Sequence, residues 1–350
     1  MSLPPPRYPG LDGIRALAVA AVVWDHTIPY EGMPAPLRHG FLGVDVFFVL
    51  SGFLITALLL QERASHGRIS LGKFFIRRCL RIFPLYFAVM GLLATYFVFF
   101  APASSSQRTA FLTELPYHLT YTSNWVPMET MMGLTWSLST EEQFYLLWPA
   151  MLAFLESWAW LAMVVFLILN QAVNFGAFDG ALQSVGLSAG SLEILQCTFT
   201  PIILGSMLAF ALSTAHWRDR LAAWPAWPVL LLAAGVLLVT ASWPGDIRGW
   251  PRLGFQSATA VLLAVIVLHP TGHLARVLEW RPLAYVGTVS YGIYLLHMFV
   301  VHVTRRVLID IGAMDNHLLF LLSLAGAVAV ASLSYRYFER PLLQLKDRFR

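Results

Sequence analysis

Long apolar runs alternate with short polar breaks along the whole chain, and the runs are longer than the core helices of a soluble domain need. Cutting them at proline, glycine and charge predicts about ten helical spans. These cover 11–28, 41–60, 82–101, 143–156, 158–175, 194–213, 227–243, 255–270, 284–303 and 317–337. The fourth is short and merges into the fifth. The longest polar segment, 103–143, reads as a loop. No internal repeat and no separate soluble stretch is visible. The expectation is one all-α polytopic membrane domain over residues 1–350.

Composition agrees. The chain is 58% hydrophobic and 12% charged, with a mean hydropathy of +0.66. A soluble domain carries about twice that share of charge. The start, "MSLPPPRYPG", lacks the pattern of a cleaved signal peptide, so the first span reads as retained. Ten spans place both termini on one side. With the N-terminus inside, inner segments hold 16 of the 23 Lys and Arg and outer segments hold 6, with Arg15 inside a span. That asymmetry predicts cytoplasmic termini in a bacterial inner membrane. It also accounts for the net charge of +4 without a nucleic-acid partner. Cys79 and Cys197 fall toward opposite faces, which argues against a disulfide, and they form no metal spacing; no metal is expected.

Several polar residues break the apolar runs. "LDGIRALAVAAVVWDH" places Arg15 and His26 eleven residues apart, about three helical turns, so both share one face ~16 Å apart. Each has a bland reading, since Arg15 near the helix start can snorkel and His26 near Pro29 can sit at the interface. On one stripe they favour a polar passage. Asp45 in the second span then needs a charge partner, expected from the first helix. Ser51-Gly52 fits close helix packing. The loop 61–81 holds six basic residues against Glu62. Anchoring to anionic membrane lipid explains it. A sharper reading makes Arg77 and Arg81, one turn apart, with Arg78 beside them, a cationic edge for a phosphorylated ligand. In "TWSLSTEEQFYLLWP", Ser139 and Glu142 have capping-box spacing, which leaves Glu141 near the outer mouth, level with His26. Trp125 and Trp136 offer faces for a pyranose ring, though tryptophan is common at membrane interfaces anyway. His297, about 13 residues into its span, also reaches the outer half, either as a core histidine or with a direct role.

These strings in this order resemble the membrane-bound acyltransferase-3 family, whose O-acyltransferases modify bacterial surface glycans, Nod factors and some macrolides. The carrying stretches are "LDGIRALAVAAVVWDH", "GFLGVDVFFVLSGFLIT", "RRCLRIFPLYF", "TWSLSTEEQFYLLWP", "SYGIYLLH" and "YFERPL". The resemblance implies transfer of an acyl group, usually acetyl from acetyl-CoA, across the cytoplasmic membrane to a hydroxyl of a carbohydrate or other acceptor. It implies that Arg15 and His26 are essential and that Arg77, Arg78 and Arg81 belong to the motif linked to CoA. The sequence ends soon after the last span, so an esterase-like function found in longer relatives is expected from a separate periplasmic partner or not at all. In this chemistry His26 is the candidate base, Arg15 holds the donor side, and Glu141 orients the acceptor or assists His26. Asp45, Ser51, Trp136 and His297 are supporting candidates. Direct transfer and an acyl-histidine intermediate both remain open. A transporter or flippase is the alternative, because intramembrane charge also marks transport pathways. A purely structural subunit leaves Arg15, Asp45 and His26 without purpose.

Overall fold

The structure is a computed structural model. It describes residues 8–30, 33–155, 158–186, 194, 198–245 and 247–345. Among the described residues it holds α-helices and short 3-10 or π turns, and no strand. The first five helices are α1 (Leu11–Asp25), α2 (Leu42–His66), α3 (Leu71–Phe99), α4 (Ser106–Leu119) and α5 (Trp136–Leu155). Then come α6 (Ala159–Asn174), α7 (Asp179–Ser184), α8 (Phe199–Ser213), α9 (Ala215–Ala222) and α10 (Ala226–Ala241). The last are α11 (Trp250–Leu268), α12 (His273–Leu278), α13 (Arg281–Thr288), α14 (Ser290–Asp310), α15 (Asn316–Ser334) and α16 (Arg340–Leu345). Every expected apolar segment has a helix. By length and composition, five pass as membrane spans: Leu42–His66, Leu71–Phe99, Trp250–Leu268, Ser290–Asp310 and Asn316–Leu345. α8 and α9 join them as a sixth if their 101° bend is one broken span. The protein is a multi-pass helical membrane protein. Its outer apolar surface fits that medium: Leu92, Phe99 and Leu231 are each at least 70% exposed.

α2 is the central post. Its N-terminal half is nearly all apolar, and Phe48, Val49, Phe53 and Leu59 are buried. One core joins α1, α2, α3, α5 and α14; a second joins α1, α2, α8, α11 and α12. α2 crosses α8 at a glycine pair. A β-carbon on Gly52 would stand 1.9 Å from the Ile202 carbonyl, and one on Gly205 would stand 2.0 Å from the Val49 carbonyl. Only hydrogen fits there, which agrees with the packing expected of Gly52. α2 ends at Gly67, whose φ of +72° is the left-handed cap that glycine adopts cheaply.

The segment 103–143 is not a simple outer loop. α4 runs back along α3: Phe97 stacks on Phe111 (4.7 Å between ring centroids), while lower down Tyr86 donates to the His118 carbonyl (2.9 Å). α5 starts at Trp136 rather than near 143, and descends beside α2. Successive contacts pair Phe48 with Trp136, Ser51 with Glu141 and Thr56 with Trp148. Its first turn therefore lies ~9 Å past the start of α2. A buried polar network pays for this re-entry. Glu114 accepts from the Glu129 and Thr130 N–H groups (2.6 and 3.2 Å), His118 Nδ1 meets Thr135 (3.0 Å), and Ser123 meets Ser139 (2.8 Å). Away from water, such groups are tolerated only when paired. The capping box is absent as well, since Ser139 lies inside α5 and Glu142 faces elsewhere.

The ninth and tenth expected segments also divide differently. Residues 281–288 form α13, separate from α14, and α15 passes through a π-helical turn, Tyr335–Glu339, into α16.

Candidate active site

α1 carries the stripe Arg15, Val19, Val22 and His26 on its core-facing side; Val19 and Val22 are buried. The spacing places all four on one face. The first turns of α1 are pressed by α12 and α13: a β-carbon on Gly13 would meet the Leu278 carbonyl at 2.2 Å, and one on Gly287 the Asp12 carbonyl at 1.8 Å. Its later turns meet Gly40, just before α2, and Gly43 in the first turn of α2. Arg15 and His26 are thus held by different neighbours at two polar levels.

At the level nearer the N-terminus of α1, Arg15 pairs with Asp12, one turn before it. Arg81 of α3 is exposed, lies within electrostatic range of Arg15, Arg78 and Asp12, and forms no ion pair among the described residues. The expected cationic edge is split. Arg77 is held by Glu62 of α2 at 3.1 Å. Arg78 turns inward to Glu142 (3.3 Å) and Glu141 (3.4 Å), with its guanidinium 3.8 Å from the centre of the Tyr145 ring. Glu141 also accepts from Ser51 at 2.5 Å. Adjacent arginines on a helix point about 100° apart, and here Arg77 and Arg78 are held by carboxylates of different helices.

This corrects the expected place of Glu141. It stands beside Arg78 and Ser51, not beside His26. Beside this cluster, a cavity of about 800 Å³ is lined by Arg78, Glu142 and Gln143 with Phe83, Tyr121 and Trp125. Leu146 and Leu147 line it from the exposed face of α5. Trp136 is half-buried with its ring edge-on to Phe48, whereas Trp125 is exposed.

At the level of the C-terminal end of α1, His26 lies against His297 of α14, with ring centroids 5.1 Å apart. His297 is fully buried; its Nδ1 is 2.6 Å from the Tyr294 carbonyl, and its Nε2 has no partner. Arg305 donates to the His26 carbonyl at 3.3 Å. Asp25 accepts from Tyr30 at 3.2 Å. Partial burial first, and then the Asp25 carboxylate, push the Tyr30 phenol up to about 12, so it stays protonated as the donor.

Asp45 belongs to neither level. Its expected partner on α1 is absent, and Arg252 of α11 takes that place (3.2 Å to each carboxylate oxygen), with Gln256 adding a 3.1 Å bond. Arg252, counted with the outer loops from sequence, is a buried member of α11. Between the two levels the stripe is packed by Val19 and Val22; Tyr294 of α14 bonds Ser137 (2.6 Å) and the Leu134 carbonyl (2.8 Å). Tyr294 and Tyr145 escaped the sequence reading. Both lie one turn from a candidate that was noticed, Tyr294 before His297 and Tyr145 after Glu141 and Glu142. Cys79 is a free, half-buried thiol, and Cys197 lies outside the described residues. Among the described residues, no three His, Cys, Asp or Glu side chains converge as a metal group.

Fold and site together define a helical membrane protein with ionisable side chains turned into its bundle. The chain belongs to the acyltransferase-3 family, whose model, described as an acyltransferase domain, matches residues 8–336. It is 31% identical to peptidoglycan O-acetyltransferase OatA of Listeria monocytogenes, over 95% of this chain and 55% of the relative. It is 30% identical to the putative peptidoglycan O-acetyltransferase YrhL of Bacillus subtilis, over 96% and 55%. It is 28% identical to O-acetyltransferase OatA of Staphylococcus aureus, over 96% and 57%. The chain thus spans about half the length of the curated relatives it matches. No solved structure matches it.

Proposed function

We propose that the chain is an inner-membrane O-acetyltransferase that moves an acetyl group from cytosolic acetyl-CoA to a hydroxyl of an envelope glycan, with peptidoglycan as the first acceptor to test. In this reading it crosses the membrane ten times, with both termini in the cytoplasm. The observation that carries it is the core-facing stripe of α1, with Arg15 and His26 at its ends, in a chain matched by the family model from residue 8 to 336. The relatives' names supply the acceptor class. Nothing in the site favours a transporter.

The acceptor hydroxyl gives its proton to an unprotonated ring nitrogen of His26 as its oxygen attacks the thioester carbonyl carbon. A C–O bond forms and the C–S bond breaks. The departing CoA thiolate takes the proton back from the His26 imidazolium. Arg15 and Arg81 hold the donor's phosphates at the inner level through their guanidinium donors. Arg78 is fixed by Glu141 and Glu142 and shapes that level rather than docking phosphate. The ~16 Å along α1 is a length that the extended pantetheine arm can bridge. Such bridging requires the packing around Val19 and Val22 to open.

The deciding experiment incubates the purified chain with labelled acetyl-CoA and soluble peptidoglycan fragments. Acceptor-dependent release of CoA with label on the glycan is expected. Release without labelled glycan, or none, overturns the reading.

A further inference from the structure

The fully buried His297 ring holds a nitrogen that the mechanism above leaves unused. Its Nδ1 lies 2.6 Å from the Tyr294 carbonyl oxygen. A carbonyl can only accept, so Nδ1 carries the proton and donates. In the neutral imidazole Nε2 is then a bare lone pair. That lone pair is buried and has no hydrogen-bond partner. The rings packed against it are those of His26 and Tyr294. A buried acceptor without a donor is unfavourable and rare enough to need an explanation.

The ring beside it is that of His26, 5.1 Å between centroids and tilted by 39°. His26 has the complementary need. A neutral imidazole that accepts a proton at one nitrogen carries an N–H at the other, and the partner of that N–H decides which nitrogen stays bare. In many hydrolases a carboxylate is that partner. Here the adjacent carboxylate, Asp25, is engaged by the Tyr30 hydroxyl and by the Gly40 and Phe41 N–H groups. His26 is only half-buried, whereas His297 is fully buried.

We propose that His297 is the positioning residue of the base: the His26 ring, already packed against it, turns so that its N–H donates to His297 Nε2, which fixes the tautomer whose other nitrogen is bare toward the acceptor hydroxyl. The proposal rests on the reading of His26 as the base. The Tyr294 carbonyl sets the His297 tautomer, and His297 sets that of His26, so one turn of α14 aims the reacting nitrogen. His297 gains and loses no proton in the cycle. When His26 takes the acceptor's proton, its N–H toward His297 becomes charge-assisted and stronger, which stabilises the imidazolium.

The test uses the full chain in detergent or nanodiscs, acetyl-CoA and soluble peptidoglycan fragments, with steady-state kinetics. His297→Phe keeps the volume and removes the acceptor; His297→Gln restores a carbonyl oxygen near the position of Nε2. The expected result is a fall in kcat of about 100-fold in H297F, with the KM for acetyl-CoA within about twofold of the parent's, and at least about tenfold recovery in H297Q. H26A and H26A/H297F should share one residual rate, because the two histidines act as a unit. If H297F does not fold, H297M takes its place. A kcat within about threefold of the parent, a change in KM alone, or a Gln variant no better than Phe overturns the proposal. Failure of the underlying reading looks different, because H26A itself would then keep its activity.

Discussion

Arg252 of α11 grips Asp45 of α2 with two nitrogens, each 3.2 Å from one carboxylate oxygen, across 207 residues of sequence. Asp45 is 1% exposed, and Gln256 completes its shell at 3.1 Å. A buried pair of this kind costs much of its Coulombic gain in desolvation, whereas removing one partner strands a charge. Asp45→Ala should therefore destabilise the protein by about 3–5 kcal/mol. The double change Asp45→Leu with Arg252→Met should cost clearly less. Thermal melting of the detergent-solubilised variants tests this, and equal losses in the two would show that the pair is not the stabilising unit.

The sequence made the helices legible and their partners largely illegible. Lipid-facing and buried sides of a span are both apolar, so run length alone locates α2, α3, α11 and α15 to within a few residues except at the C-terminal end of α2, the basic start of α3 and the start of α11. Local spacing also carried the Arg15–His26 stripe, because it depends on one helix only. It could not carry Asp45 to Arg252, or Arg78 to Glu141 and Glu142, 63 and 64 residues away. Such pairs are tertiary. α4 was missed for a different reason. "SQRTAFLTELPYHL" is too polar to read as a membrane segment, and its burial depends on Glu114 and His118 meeting partners outside the helix.

The glycine crossing of α2 and α8 gives a packing prediction. Gly52→Ala places a β-carbon 1.9 Å from a backbone carbonyl, which no rotamer can relieve. The helices must separate, at about 1–3 kcal/mol. Gly91→Ala on α3 meets nothing within 4 Å and should leave the melting temperature unchanged or slightly raised. Similar melting of the two variants would mean that α2 and α8 do not cross this closely.

The divergence of the arginines separates donor binding from scaffolding. Arg81→Ala should raise the KM for acetyl-CoA about tenfold and leave that for the acceptor unchanged, as loss of contact to an unreacting part of the donor does. Arg77→Ala removes the Glu62 pair and should act mainly on stability, by no more than about 1 kcal/mol for a half-exposed ion pair. A donor KM that responds to Arg77 and not to Arg81 would reverse the assignment. Topology must be verified in both, since each change lowers the inner positive charge.

The direct route and an acyl-histidine intermediate differ in one partial reaction. With acetyl-CoA and labelled CoA but no acceptor, an acyl-enzyme exchanges label between them, whereas direct transfer does not. No exchange is expected in the parent protein. Transfer should vanish in His26→Ala at normal expression and survive in His39→Ala, whose Nδ1 meets the Ala241 carbonyl at 2.8 Å, away from both levels. Acceptor-independent exchange that is lost in His26→Ala would establish the two-step path instead.

The geometry of α1 makes the sharpest demand. Inserting one alanine between Ala18 and Val19 rotates one half of the helix against the other by about 100° and lengthens it by ~1.5 Å. Alanine favours the helix, so the span itself should persist. The half bearing Arg15 is clamped by Leu278 and Gly287 and the half bearing His26 by Gly40, while Gly43 touches both halves at Ala18 and Val22, so the stripe must break at one end or the other. Transfer should fall to the level of His26→Ala. Four inserted residues bring the faces back to within about 40° but add ~6 Å, so only slight recovery is expected. A single alanine between Pro29 and Tyr30, beyond the stripe, should leave most activity. Expression and the location of the segment after Pro29 must match across the set. If the single insertion in α1 is as active as the parent, Arg15 and His26 do not serve one donor along this helix, and the ~16 Å between them has no mechanistic meaning.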